Sequence, residues 1–145
     1  MRMGRRIHGG GCLCGSVRFE VSGPLEKPHT CSCSICRRHS GALTVAWVEC
    51  AKERVQWTGP GGEPAVYRTS DWSSRAFCPR CGSTIGAIDD APVVALVVGA
   101  FDRPALKDFV PTSHSYRSAR PRWWHVEISG GKANREAGGP VSRAE

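Results

Sequence analysis

The residues best equipped for chemistry are Cys31, Cys33 and Cys36, spaced C-x-C-x-x-C and followed directly by Arg37 and Arg38. A Cys-x-x-Cys turn lets two thiolates converge on one ion at about 2.3 Å each, which is zinc geometry. The thiol two positions upstream can reach the same ion. Three ligands leave a tetrahedron one short, the pattern of a working zinc site rather than a structural one. The competing reading takes a fourth ligand from elsewhere and makes the site a staple; from these residues alone both stay open. His39 is a candidate for that ligand or for a proton carrier, against the plainer reading of an exposed loop histidine.

Four further cysteines come in pairs. Cys12 and Cys14 are flanked by Gly9, Gly10, Gly11 and Gly15, which would let the backbone turn tightly around a metal. Cys78-Pro79-Arg80-Cys81-Gly82 reads as a zinc knuckle. Its proline fixes the first turn, and glycine after the second cysteine lets amides point at the sulfurs. Neither pair holds an ion firmly alone. Together they make a closed tetrahedral site and leave the group of three with an open position. The spacing also tolerates swapped pairings, such as Cys78 and Cys81 with Cys31 and Cys33. Cys50 has no partner at ligand spacing and reads as a small buried apolar residue.

The elements that must position these thiols read as strands. Val17 to Val21 alternates, with Val17, Phe19 and Val21 inward. Leu43 to Glu49 is apolar on both faces and so central, and Val55 to Trp57 starts a short strand. Val66 to Arg68 and Arg75 to Phe77 suggest a strand pair, and Thr84 to Ile88 another strand. Val93 to Val98 is the best candidate for a core strand, Asp89 to Pro92 the turn before it, and Thr112 to Tyr116 an edge strand. No helical period runs beyond two turns, so the expected class is all-β.

A chain of 145 residues, 40% hydrophobic and 23% charged, is long enough for one domain with a real core. The expected divisions are a flexible start at 1–8, a zinc-binding domain at 9–128 and a disordered tail at 129–145. The longest apolar run, Val93 to Val98, is far short of a membrane span. The basic start leads into glycines rather than an apolar segment, so no secretory signal is expected and the cytoplasm is the expected location. Eight cysteines there favour metal over disulfides. The formal charge of +7 falls to about +4 with seven thiolates on two zinc ions, a mild basic balance that specifies no partner.

In these motifs the chain resembles the glutathione-dependent formaldehyde-activating enzymes, a family related to the centromere-protein-V domain. The matching pieces are Gly11 to Gly15 before a Val-Arg-Phe strand, then Cys31 to Arg38 with Ser40-Gly41. Phe77 to Ser83, Gly99 to Asp102, and Pro111 to His114 followed by Trp124 complete them, so the resemblance spans residues 9 to 126. It departs at Phe101, where the family often carries Leu, and at Ser115, where it commonly carries Ile. The resemblance implies a β-tent of small antiparallel sheets pinned by two zinc ions. Cys12, Cys14, Cys78 and Cys81 would hold the structural ion, and Cys31, Cys33 and Cys36 the functional one. His114 would be a catalytic-pocket residue.

Three thiolates on Zn²⁺ leave a net charge of −1, so such an ion suits thiol capture better than hydroxide generation. A glutathione-type thiolate held there would add reversibly to formaldehyde or another small aldehyde, the carbon–sulfur lyase chemistry that the resemblance implies. Arg37 and Arg38 are candidates for meeting the carboxylates of glutathione, against the reading of solvated surface arginines. The rival class is a non-catalytic, zinc-stapled binding module contacting nucleic acid or protein. Arg117, Arg120 and Arg122 before Trp123-Trp124 would then supply cations and stacking rings. The enzyme is the expected reading, with a small-molecule thiol and aldehyde as partners and no membrane. A nucleic-acid binder would lose affinity steeply with salt.

Overall fold

The computed structural model describes residues 5–129, and strands dominate. Phe19 and Val21 are buried on β2 (Arg18–Ser22) while Glu20 between them is exposed, as the alternation predicts. β2 lies between β1 (Ile7–Gly11) and β5 (Val55–Trp57), antiparallel to both, in a three-stranded sheet.

β1 corrects two expectations. The start of the chain is strand from Ile7 onward rather than loose through residue 8. His8 pairs with Val21, and its ring packs edge-on against Phe101 and Phe109. Gly9 to Gly11 are strand as well, not a turn around a metal. A Cβ at Gly10 would collide with the ring of Phe19 and the carbonyl of Ala100, so glycine there permits close packing. The turn begins only at Cys12.

The second sheet has seven strands. They are β3 (Glu26–Cys31), β4 (Val45–Ala51), β6 (Ala65–Arg68), β7 (Ser73–Phe77), β8 (Thr84–Asp89), β9 (Val93–Val97) and β10 (His114–Ser115). Their order is β10-β3-β4-β9-β8-β7-β6, and every pair is antiparallel except β10 with β3. β4 is central, β6 and β7 form the expected pair, and β10 is an edge. β3 is missing from the sequence reading. Pro28, a positive φ at Lys27 and a bulge between Glu26 and His29 disguise its period.

The large sheet is apolar on both faces. Val48 and Cys50 of β4, Ile85 of β8, and Val94 and Leu96 of β9 pack with Val17, Phe19 and Val21 in the main core. Val45, Trp47, Ala87 and Val97 point the other way and pack against Cys31 and Cys36. The three-thiol stretch therefore sits on the far side of this sheet from the main core. There lies α1 (Ser34–Ser40), the one α-helix among the described residues, two turns long and closed by Gly41 at φ 79°. Among the described residues, no helix is long and apolar enough to cross a membrane. The tail expected to be disordered lies outside the described residues, except for Ser129.

An ion pair ties the two sheets together. Arg18 of β2 grips Asp102, beyond β9, with both terminal nitrogens at 2.9 and 2.6 Å. The guanidinium holds the Asp102 carboxyl below the usual carboxylate range. A carboxylate with a lowered folded-state pKa stabilises above its unfolded value of about 3.9 and loses that contribution as pH falls through the folded one. The pair is about half exposed, with side-chain exposures of 37% and 51%. We therefore expect Asp102→Asn to cost only about 0.2–1 kcal/mol at neutral pH. Urea melts should show the difference from wild type shrinking progressively as pH falls below about 4.

Candidate functional site

Two groups of thiols form, and they are four and three. Cys12, Cys14, Cys78 and Cys81 place their sulfurs within 4.8 Å of one another, and Cys31, Cys33 and Cys36 do the same. No swapped pairing is present. Tetrahedral Zn–S bonds of about 2.3 Å put sulfurs about 3.8 Å apart. The Cys12–Cys14 and Cys14–Cys78 separations are 3.6 and 3.8 Å, so the four-thiol group fits zinc.

The four-thiol group joins the two sheets. Cys12 follows β1, and its sulfur accepts from the Val17 amide at 3.2 Å. Cys78 follows β7 and is fully buried. Its carbonyl accepts from the Gly82 amide at 2.8 Å, in a turn where Gly82 takes φ 78°. Ser83 fastens the two hairpins: its hydroxyl accepts from the Leu13 amide at 3.0 Å and lies 3.1 Å from the Cys81 sulfur. That hydroxyl and the Ser83 amide pull the Cys81 thiol down to about 5, a thiolate ready for metal.

The three-thiol group is built on a strand end and a helix start rather than on a loop. Cys31 ends β3, Cys33 caps α1, and Cys36 lies in its first turn. The Cys33 sulfur accepts from the Cys36 amide at 3.3 Å. Hydrogen bonding with Cys36 pulls the Cys31 thiol down, and the same bond, then burial, pushes the Cys36 thiol up. Three converging sulfurs fit a zinc ion as well. Among the described residues, no further Cys, His, Asp or Glu joins them: His39 and Cys50 lie outside both groups. Cys50 is buried in the main core, where its thiol donates to the Val94 carbonyl at 3.7 Å. His39 is half-buried, and desolvation, then Arg75, lowers its pKa.

His114 reaches this site through a neighbour. Its Nε2 lies 2.8 Å from the hydroxyl of Ser32, the residue between Cys31 and Cys33. Ser32 also bonds Thr44 at 2.8 Å, and Trp124 Nε1 donates to Thr44 at 2.9 Å. The parallel pairing of β10 with β3 puts His114 opposite Thr30 and creates this contact. Burial, then Arg117 and Arg120, lowers the His114 pKa to about 4, so the ring is neutral at neutral pH. Arg37 and Arg38 follow Cys36 on α1 and are exposed. Of the cation-rich stretch near the end, Arg120 is turned inward, donating to the Trp124 carbonyl at 2.8 Å, while Trp123 is exposed.

An open cleft of about 740 Å³ takes Cys12 of the four-thiol group into its lining. Its lining includes Cys12, Leu13, Ser83, Ser40, Thr44 and the Arg18–Asp102 pair. Val45, Val97 and Ala100 belong both to this lining and to the cluster around the three thiols.

Four residues here escaped sequence reasoning: Ser32, Thr44, Trp124 as a donor, and Arg75. Arg75 of β7 directs Nη1 to the Cys36 sulfur at 3.8 Å and stacks 5.2 Å from the Trp47 ring centroid. Its strand was legible. Its placement beside Cys36 depends on strand order, for which no local signal exists.

Residues 7–119 match the family described as glutathione-dependent formaldehyde-activating enzyme. A Halomonas elongata protein, provisionally named as such an enzyme, is 32% identical over 131 residues, covering 81% of this chain and 80% of its own. A crystal structure of a Rhodobacter sphaeroides protein shares the fold, with a TM-score of 0.52, 23% identity, and coverage of 65% of this chain and 87% of its own. With the match spanning the sheets and both thiol groups, the chain belongs to the glutathione-dependent formaldehyde-activating enzyme family.

Proposed function

We propose that the protein is a carbon–sulfur lyase that joins a small thiol to a small aldehyde and reverses the reaction, with two zinc ions per chain. The thiol is of the glutathione class, and formaldehyde or a similarly small carbonyl compound is its partner. One observation carries the reading: the second thiol group contains three sulfurs and, among the described residues, no fourth protein donor. Family membership supports the substrate class.

Zinc at Cys31, Cys33 and Cys36 would supply thiophilic Lewis acidity, keeping a thiol co-substrate deprotonated at neutral pH. The chain's own residues hold and orient. A sulfur lone pair forms the new C–S bond, the carbonyl π pair moves to oxygen, and the proton released by the thiol ends there as the hydroxyl of a hemithioacetal. No oxidant or reductant is needed, and the reverse step breaks the same bond. The cleft is of a size that suits a peptide-like thiol. Arg37 and Arg38 are assigned to its carboxylates, and their exposure leaves them free to reach a ligand. His114, neutral and bonded to Ser32, is assigned to the pocket as the residue that steadies the Cys31–Cys33 segment.

Cobalt in place of zinc gives a thiolate-to-metal charge-transfer band that reports each sulfur bound. Glutathione should intensify that band, and S-methyl glutathione, which has no ionisable thiol, should leave it unchanged. Equal responses to both compounds, or to neither, would overturn direct thiol capture.

A further inference from the structure

We propose that Arg75 is the counter-charge of the three-thiol centre, setting its net charge near zero so that an anionic thiolate can join it. The inference rests on the reading that those thiols hold a metal. β7 pairs Arg75 with Ala87 on one side and Tyr67 on the other. Its side chain shares the sheet face of Trp47 and Ala87, the face on which Cys31 and Cys36 pack.

Arg75 is half-buried, and among the described residues no carboxylate lies within 4 Å of it. A guanidinium so placed forfeits hydration and needs an anion in exchange. Trp47 supplies its ring face at 5.2 Å, a partial compensation. The Cys36 sulfur, 3.8 Å from Nη1, is the acceptor it finds, and a metal held by the three thiols would make that sulfur a thiolate. The other thiol group is served differently, by the Val17 amide and the Ser83 hydroxyl.

Charge arithmetic gives the arrangement its consequence. Three thiolates on a divalent cation sum to −1, and a fourth thiolate approaching that centre meets repulsion at short range. With Arg75 alongside, the sum is zero. The guanidinium thus favours both the metal and the fourth, exogenous sulfur, while touching neither. It is a positioning residue that acts through Cys36.

The test uses three variants of the full chain, each checked for the wild-type circular dichroism spectrum. Arg75→Met keeps an unbranched stem against Trp47, Arg75→Gln keeps a donor without charge, and Arg75→Lys keeps charge without the fork. The first readout is cobalt affinity of the three-thiol site by chelator competition, with no thiol added. Met and Gln should each weaken it about tenfold, the usual effect of removing an outer partner of a metal ligand. Lys should stay near wild type, and the four-thiol site should not move. The second readout is the glutathione concentration that half-develops the charge-transfer band, which should rise about tenfold in Met and Gln. Wild-type cobalt affinity in Met or Gln, or a Lys variant as weak as Met, would overturn the counter-charge. If cobalt affinity falls as expected but even the wild type ignores glutathione, the counter-charge stands and thiol capture fails.

Discussion

Cys78→Ser leaves no cooperatively folded protein. Urea melts should lose their sigmoidal transition, near-UV circular dichroism should flatten, and the purified chain should carry less zinc. The reason is where Cys78 stands. It is fully buried, packs with the main core, and belongs to the four-thiol group that clasps the Cys12–Cys14 turn to the end of β7. A structural zinc contributes roughly 10–16 kcal/mol of apparent binding energy in small domains. The whole stability of a domain this size is about 5–15 kcal/mol. Losing the proposed zinc along with this ligand would subtract a quantity comparable to the total, and the serine hydroxyl left among apolar neighbours adds about 1–3 kcal/mol of desolvation. A Cys78→Ser protein that melts near the wild-type midpoint would show that the clasp is dispensable.

How much of this was legible in the sequence follows the range of the interactions involved. Cysteine spacing is local, so the Cys-x-Cys, C-x-C-x-x-C and Cys-Pro-x-Cys groups could be read directly. Their partition into four and three was also legible, as the pairing that keeps every group intact. Excluding swapped pairings needed the fold, because Cys12 and Cys78 meet only when Leu13 and Ser83 tie two hairpins together. Alternation exposed β2, and apolar runs exposed β4 and β9, since burial on one or both faces leaves a period or its absence. β3 left neither mark, because a bulge and the positive φ at Lys27 break its register halfway. α1 is too short for a helical period to emerge, yet it carries Cys36 on the correct side of the sheet. Arg75 shows the deepest limit. It lies 39 residues from Cys36, and only the strand order that returns β7 along the large sheet brings cation and thiol together.

Cys36→Ser is expected to do the opposite of Cys78→Ser: the protein folds and the chemistry is lost. Cys36 is buried, but its cluster lies on the far face of the large sheet, away from Phe19, Leu96 and the four-thiol clasp. Exchanging its sulfur for a hydroxyl should cost about 1–3 kcal/mol, which a domain with its four-thiol group intact survives. Activity suffers twice. A small thiol titrating near ~8.5 is only a few per cent ionised at neutral pH, so losing metal-assisted deprotonation costs about 30-fold. Losing the fixed position of the attacking sulfur costs on the order of 10²-fold more. The thiol–aldehyde addition rate should therefore fall on the order of 10³-fold. Measured kcat/KM, melting temperature and zinc content on one preparation separate the outcomes: a folded chain with one zinc fewer and little turnover is the expected result. Full turnover in such a protein would remove the three-thiol centre from the reaction. A Cys36→Ser chain that unfolds while Cys78→Ser folds would exchange the roles of the two sites, because the clasp would then be the group on α1.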